Sequence, residues 1–459
     1  MLPNGVQLKK LFKGLVSIIN SKAAYGDILL IDNSVLSVMQ DFSTIDISNT
    51  GEKGIKMRAF DGEKWSEKFT TNLDAENLKE TARDLVKNIA RVKNPLTFDD
   101  KKMEKSFSEK PKINPKNVSL ERKIGVVGKI IDYYKKQKHL KNGRAIYDEE
   151  TMHNIFCSKN KYLEQRLSRV SVISFAMVQA KDGQIRYAYE VNLRPGFEVS
   201  NGALNLAKAS ADEAKKVIKA AKIKPGKYHC ILGPEITGLL AHESFGHGME
   251  SDTVYKDRAL AKEWKDKKIA SDFVNIVDDS SLPCNHGSFF FDDEGEIAKP
   301  THLIREGIVN DYITEMLTAR KMNIPRSSNG RCESFDHKVY ARMTNTFFGK
   351  GPHIMREMFK NVKEGIFLKK RGGGMEDPKG WGVQIQGIFA QRIKNGKLAE
   401  EYYDDVGISG YLPTILGNIK QVSKEFSIND IGTCGKGHKE WVPISTGGSY
   451  LRIENLDLA

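Results

Sequence analysis

Residues 239–252 read LLAHESFGHGMESD. Inside this stretch, His242-Glu243-Ser244-Phe245-Gly246-His247 comes within one residue of the HExxH pattern of metal-binding helices, whose histidines stand four apart. Here they stand five apart. Five residues of an ideal α-helix turn through about 500°, which leaves the two imidazoles about 140° out of phase and unable to meet one ion. A shared ion therefore requires the helix to widen or to end between them. Gly246 weakens the helix at that point, and a one-residue π-type expansion would return the pair to phase. Spacing alone leaves a metal pair and two unrelated histidines equally open. Glu243 adjoins the first histidine, placed to act on a water at the metal rather than on the metal itself.

A third donor decides between these readings, because a catalytic zinc takes three protein ligands and a water. The candidates are Glu250, Cys284, His286, Cys434 and His438. Cys434 lies in GTCGKGHKEWVPISTGG, a glycine-rich turn where the backbone can approach closely and expose the sulfur. This turn is not a phosphate-binding loop: Asp430 stands where its first glycine belongs, and Gly437 follows the lysine in place of Ser or Thr.

Outward from the histidines, KYHCILG reads as a short strand after Pro225-Gly226, and Pro234 suits the first turn of the next helix. SADEAKKVIKAAK sets Ser210 and Glu213 at capping-box spacing and predicts a helix that begins there. Beyond residue 270 the chain is strand-like and turn-rich, with a hairpin at Asn395-Gly396. Towards the N-terminus, Leu8, Leu11, Phe12, Leu15, Ile18 and Ile19 recur at helical spacing, as do Leu78, Ala82, Leu85, Val86 and Ile89. Between these two helices, residues 24–72 alternate apolar and polar, with Asp61-Gly62 as a turn. Ser119 opens a further helix, and Asp182-Gly183 bends a hairpin. The lysine-dense DDKKMEKSFSEKPKINPKN reads as a solvated connector. The expected class is α+β in two domains. Residues 1–200 form a sheet-plus-helices domain, and residues 201–459 a strand-rich domain carrying the HExxxH helix.

At 459 residues, with 39% hydrophobic and 9% aromatic content, the chain suits a globular protein of more than one domain. No apolar run approaches the roughly 18 residues of a membrane helix. Lys13 interrupts the only candidate for a signal peptide core. Five scattered cysteines without a CxxC argue for a reducing compartment, and the cytoplasm is the expected location. The net charge of +13 permits a nucleic-acid partner, but acids are interleaved with the bases throughout, and neither nucleic acid nor membrane is expected.

Six segments in the C-terminal half carry a resemblance: HESFGHGMESD, FFFDDEGE, NGRCESF, ARMTNTFF, GTCGKG and a late TGG. In this order they resemble the TldD/PmbA family of metallopeptidases, specifically its zinc-bearing TldD branch. AAYGDILL, DGEKWSEKFTTNL and VSLERKIGVVGKI extend a looser similarity into the N-terminal half. The resemblance implies zinc held by His242, His247 and Cys434, with Glu243 as the catalytic glutamate. It implies peptides or unfolded polypeptide segments as substrates. It also implies a dimer, either of this chain with itself or with a zinc-less paralogue. Two departures stand out. Cys332 occupies a position where the family commonly has a second arginine, and CSKN at 157–160 replaces a commoner Asn-Ser-Glu-Gly turn.

Around this set, Arg331 and Arg342 are candidates to grip a peptide's carboxylate or carbonyls, with ion pairs inside the fold as the alternative. Met343-Thr344-Asn345-Thr346 resembles family sequence beside the cleft, which makes Asn345 a candidate for substrate binding, with a packed strand free of ligand contacts as the alternative. Glu250 and Asp252 read either as a solvated helix end or as groups that orient an imidazole. Asp292, Asp293 and Glu294 read as a turn of solvated carboxylates, with contact to a substrate amine or a metal as the alternative. A thiolate ligand acidifies the water less than a third imidazole would, which makes Glu243 more useful as a base. Two rival functions remain. One is a non-catalytic module acting on DNA-processing machinery, after an older family label of gyrase modulator. The other is a scaffold whose structural zinc takes His438 or Glu250 as a fourth ligand.

Overall fold

The computed structural model describes residues 5–90, 92, 95–428, 430–437 and 439–459. The first sheet is built from β1 (Tyr25–Gln40), β2 (Ile45–Phe60), β3 (Trp65–Thr70), β4 (Met103–Ser108), β5 (Asn142–Ser158), β6 (Lys161–Gln179) and β7 (Ile185–Arg194). Its order is β3-β2-β1-β5-β6-β4, with β7 sharing the outer edge of β6, and only the β4–β6 pairing is parallel. Strand β4 falls inside the stretch expected to be a solvated connector, so that expectation is corrected. Met103 and Phe107 share one side of the strand, and Phe107 stacks on Phe290 at 5.1 Å. A period-2 apolar signal of two residues was hidden among lysines.

Helices α1 (Gly5–Asn20), α2 (Ala75–Val86), α3 (Leu120–Lys135) and α4 (Ala203–Val217) cover one face of this sheet. Phe12, Leu15, Leu78 and Leu85 pack with Ile28, Leu30, Ile55 and Ile155. Ile130, Ile131, Ala207 and Ala211 do the same with Tyr147 and Val172. Ser210 does not cap α4. It lies mid-helix, with its hydroxyl donating to the Leu206 carbonyl at 2.8 Å and lying 2.5 Å from Tyr134 Oη. Burial against α3 outweighs the local capping pattern, and the helix starts seven residues earlier than the capping pattern placed it. Since side chains alternate across a strand, the opposite face carries Leu29 and Ile31, which pack on Cys332 and Val339 of the second half.

The second sheet contains β8 (Gly226–Leu232), β9 (Ile276–Asp279), β10 (Pro300–Arg305), β11 (Ile308–Val309) and, after the small β12–β13 pair (Gly330–Arg331 with Tyr340–Ala341), β14 (Asn345–Phe348). It continues with β15 (Glu364–Glu376), β16 (Gly382–Lys394), β17 (Lys397–Tyr411), β18 (Ile419–Ser427), β19 (Gly432–Lys436) and β20 (Lys439–Leu458). Pairings β8–β15–β16–β17–β20–β8 close on themselves into a ring. Helix α5 (Pro234–Leu239) leaves β8 directly and packs against β14, β15 and β20. The α+β class expected from the sequence is the one observed, and no helix among the described residues is long and apolar enough to cross a membrane.

Candidate metal centre

Helix α5 does not continue as an α-helix. Residues Leu240–Gly246 form a π-helix, and the His247 amide donates to the His242 carbonyl five residues back. The extra residue in this turn is what the five-residue spacing demanded. It brings the two imidazoles to a centroid separation of 5.2 Å with their planes at 81°. Gly246 is required by packing, because a Cβ there would lie 2.0 Å from Met343 Sδ.

The third donor arrives on the β19–β20 hairpin. Cys434 Sγ lies 3.3 Å from His247 Nε2, and one donor atom each from His242, His247 and Cys434 lie within 4.8 Å of one another. Around a tetrahedral zinc, nitrogen and sulfur ligands stand about 3.6 Å apart, so this set needs little adjustment to close on an ion. His242 is 3% exposed, and its Nδ1 is buried without a hydrogen-bond partner. Burial pushes the Cys434 thiol up, but His242 and His247 pull it well below its usual range. Burial lowers His247, while Cys434 and Glu250 hold it well above the usual imidazole range. Arg342 Nη2 donates to Cys434 Sγ at 3.1 Å and to its carbonyl at 2.8 Å, which adds positive charge beside the sulfur. A thiol drawn towards thiolate and two imidazoles, largely buried, form a donor set that fits zinc.

A ring of charge surrounds them. Glu250 Oε2 lies 3.5 Å from His247 Nδ1 and 2.9 Å from Lys436 Nζ, and Lys436 also reaches Asp252 at 2.8 Å. Both acids are buried, so the solvated helix end expected as one alternative is not what forms. Glu243, half-buried, lies against β15, where a Cβ at Gly374 would sit 2.6 Å from its Cγ. Two residues further along the same strand, both carboxylate oxygens of Glu376 are buried without a partner. Burial, with Glu250 and Glu243 nearby, raises the Glu376 carboxyl well above its usual range despite His247. Sequence reading missed Glu376. The glycine run Gly372-Gly373-Gly374 just before it was the available signal for a close approach.

Other candidates sit elsewhere. Arg342 is 1% exposed and is spent on Cys434, the Glu440 carbonyl and Glu250. Arg331 Nη1 donates to the Met343 and Pro443 carbonyls at 2.7 and 2.8 Å, and its guanidinium lies over Phe289. Asn345 is fully buried, donating to the Asp279 carbonyl and Ser288 Oγ. His286 Nδ1 lies 2.9 Å from the Gly432 carbonyl oxygen, and Cys284 is exposed beside Glu109; neither joins the donor set. His438 lies outside the described residues. Asp292 and Glu294 are not solvated: both are 1% exposed, and Glu294 takes Arg58 Nη1 at 2.7 Å while Arg58 also holds Asp27. Cys332 is buried, its amide donating to Asp293. A second group, Glu333, His337 and Glu440, also brings three donor atoms within 4.8 Å.

Residues 225–459 match the family model described as the PmbA/TldA metallopeptidase C-terminal domain. A metalloprotease of Methanocaldococcus jannaschii is 30% identical over 425 residues, spanning 90% of this chain and 92% of that protein. A TldD homologue of Saccharolobus solfataricus, named a zinc metalloprotease, is 29% identical over 274 residues, 60% of this chain and 58% of its own. Among solved structures, TldE of Thermococcus kodakarensis superposes with a TM-score of 0.78 at 15% identity, covering 98% of this chain and all of that one. A candidate modulator of a DNA gyrase from Thermotoga maritima does so at 0.79 and 18% identity, covering 98% and 99%. At such identities the structural likeness speaks for the fold alone.

Proposed function

The chain belongs to the PmbA/TldD family of metallopeptidases, and from that premise we propose that it is a zinc-dependent peptidase acting on peptides or unfolded polypeptide segments. The observation that carries this reading is the convergence of His242, His247 and Cys434 within 4.8 Å, with Glu243 adjoining the first of them. Zinc, when bound, supplies a Lewis acid that polarises the scissile carbonyl. Glu243 takes a proton from the attacking water and delivers it to the nitrogen that leaves as the C–N bond breaks. The water oxygen remains on the carbonyl carbon as the new carboxylate. Glu250 holds the His247 ring from its far nitrogen, and Lys436 holds Glu250. His242 and His247 draw the Cys434 thiol towards its anionic form, and Arg342 donates to the sulfur.

A thiolate ligand fits a reducing compartment such as the cytoplasm, and all five cysteines are unpaired. We extend the reading to a dimer, with a second copy or a zinc-less relative as the partner. The test is Glu243→Gln. It should retain zinc stoichiometry while hydrolysis of an unstructured peptide falls by about 10²–10⁴-fold. Undiminished hydrolysis removes Glu243 as the base, and hydrolysis that survives complete zinc removal ends the reading.

A further inference from the structure

Where β13 hands over to β14, three consecutive residues each touch a different part of the metal centre. The Ala341 carbonyl accepts from Lys436 Nζ at 3.3 Å, on the hairpin that carries Cys434. Met343 Sδ fills the space beside Gly246 in the π turn. Between them, the Arg342 amide donates to the Asn329 carbonyl at 2.9 Å, and Asn329 Nδ2 donates to the Arg342 carbonyl at 2.9 Å. Arg342 is thus fixed at both of its backbone polar groups before its side chain makes any contact.

The guanidinium then reaches two parts of the centre at once. Nη1 donates to the Glu440 carbonyl, and Nη2 donates to the Cys434 carbonyl at 2.8 Å and to Cys434 Sγ at 3.1 Å. Nε lies 3.4 Å from Glu250 Oε1, an oxygen without a hydrogen-bond partner. Glu250 Oε2 lies 3.5 Å from His247 Nδ1, and His247 Nε2 lies 3.3 Å from Cys434 Sγ. Four side chains therefore close a circuit: sulfur, guanidinium, carboxylate, imidazole and back to sulfur. Balancing Glu250 does not by itself call for Arg342, because Lys436 already stands 2.9 Å from Oε2. Burying a cation costs several kcal/mol. A lysine ammonium, a single point charge, could not place fixed N–H groups on the sulfur, two carbonyls and the carboxylate together.

We infer that Arg342 is a positioning residue of the metal centre, which holds the sulfur and Glu250 in one frame and draws electron density from the sulfur through the Nη2–H···Sγ bond. The inference rests on the zinc set proposed above. A thiolate gives more charge to an ion than an imidazole does, which weakens the ion as a Lewis acid. A hydrogen bond to the sulfur takes part of that charge back, as outer partners of metal ligands do. Arg342 would in this way offset the cost of having a cysteine as the third ligand.

Cobalt in place of zinc makes the sulfur visible, because thiolate bound to cobalt gives a charge-transfer band in the near ultraviolet. The wild-type cobalt protein should show this band, and Cys434→Ser should lose it. In Arg342→Met and Arg342→Lys the band should move to longer wavelength, further in the first, with one cobalt still bound per chain. Hydrolysis of an unstructured peptide by the zinc forms should lose about tenfold in kcat at unchanged KM. A purely structural role would loosen the metal or lower the melting temperature and leave the band of the bound fraction in place. A band at the wild-type wavelength in Arg342→Met overturns the inference. Should neither variant fold, wild type loaded with an NMR-active cadmium isotope supplies the test. A scalar coupling from the cadmium across the sulfur to an arginine Nη proton is expected, and its absence overturns the inference equally. A sulfur band present but unmoved ends the role of Arg342 alone, whereas no sulfur band in wild type removes Cys434 from the ligands and ends the zinc set as well.

Discussion

His242–His247–Cys434 and Glu333–His337–Glu440 each bring three metal-capable atoms within 4.8 Å, yet they differ in every other respect. In the second group the donors already satisfy one another. His337 Nδ1 lies 3.1 Å from Glu440 and 3.6 Å from Glu333, and Glu333 accepts the Trp441 amide at 3.0 Å. His337 and Glu333 are also open to water. In the first group His242 Nδ1 is buried without a partner, and the thiol is desolvated and drawn towards thiolate. Proximity alone therefore does not mark a metal centre. A thiol and two imidazoles, more deeply buried and with one imidazole nitrogen left without a partner, do.

The sharpest way to break this contrast is to delete one member from each group. Cys434→Ala should lower zinc affinity by more than the roughly 100-fold that loss of an outer partner costs, whereas His337→Ala should leave zinc stoichiometry unchanged. Metal analysis after dialysis against a chelator reads both. Equal losses in the two variants would erase the distinction. Next in size, Glu250→Gln should weaken zinc about 10- to 100-fold by releasing the far nitrogen of His247, measured by chelator competition. An unchanged affinity would assign Glu250 to structural charge balance with Lys436 instead.

The smallest effect concerns protonation. Burial raises the Cys434 thiol, but the two imidazoles more than offset it, leaving the thiol well below its ordinary value of 9.0. In metal-free protein the thiolate should persist as pH falls from 9 towards neutrality. The stability it contributes is present above the unfolded thiol's pKa and is lost as pH falls through the folded value. Thiolate ultraviolet absorbance, taken as the difference from Cys434→Ser, checks this. A midpoint at or above 9 would sink it.

Much of the centre was legible because its constraints are local. A five-residue histidine spacing with a glycine before the second histidine dictates a widened turn, and that turn forms. Cys434 stood out by its glycine-rich loop and by the family pattern around it. The α+β class followed from periodicities of 2 and 3.6. What escaped was long-range. Glu294 looked like a solvent-facing acid because its partner Arg58 is 236 residues away, and Asp292 because its partner Arg326 is 34 residues away, both invisible to any local pattern. Ser210 carried a capping signal that burial under Tyr134 overrode. Glu376 ends a strand whose glycine run signals a close approach but not to what, and only the closed ring of strands brings it beside Gly248.

The π turn has a consequence beyond the two imidazoles, because a surplus residue sets the phase of everything after it. Removing one position between His242 and His247 would restore the commoner motif on paper. It would also draw the segment carrying Glu250 and Asp252 one residue towards His242 and out of register with Lys436. Lys436 would then face neither acid, and the loop delivering the sulfur would lose its anchor. This segment should therefore accept conservative side-chain exchanges far more readily than any single-codon deletion.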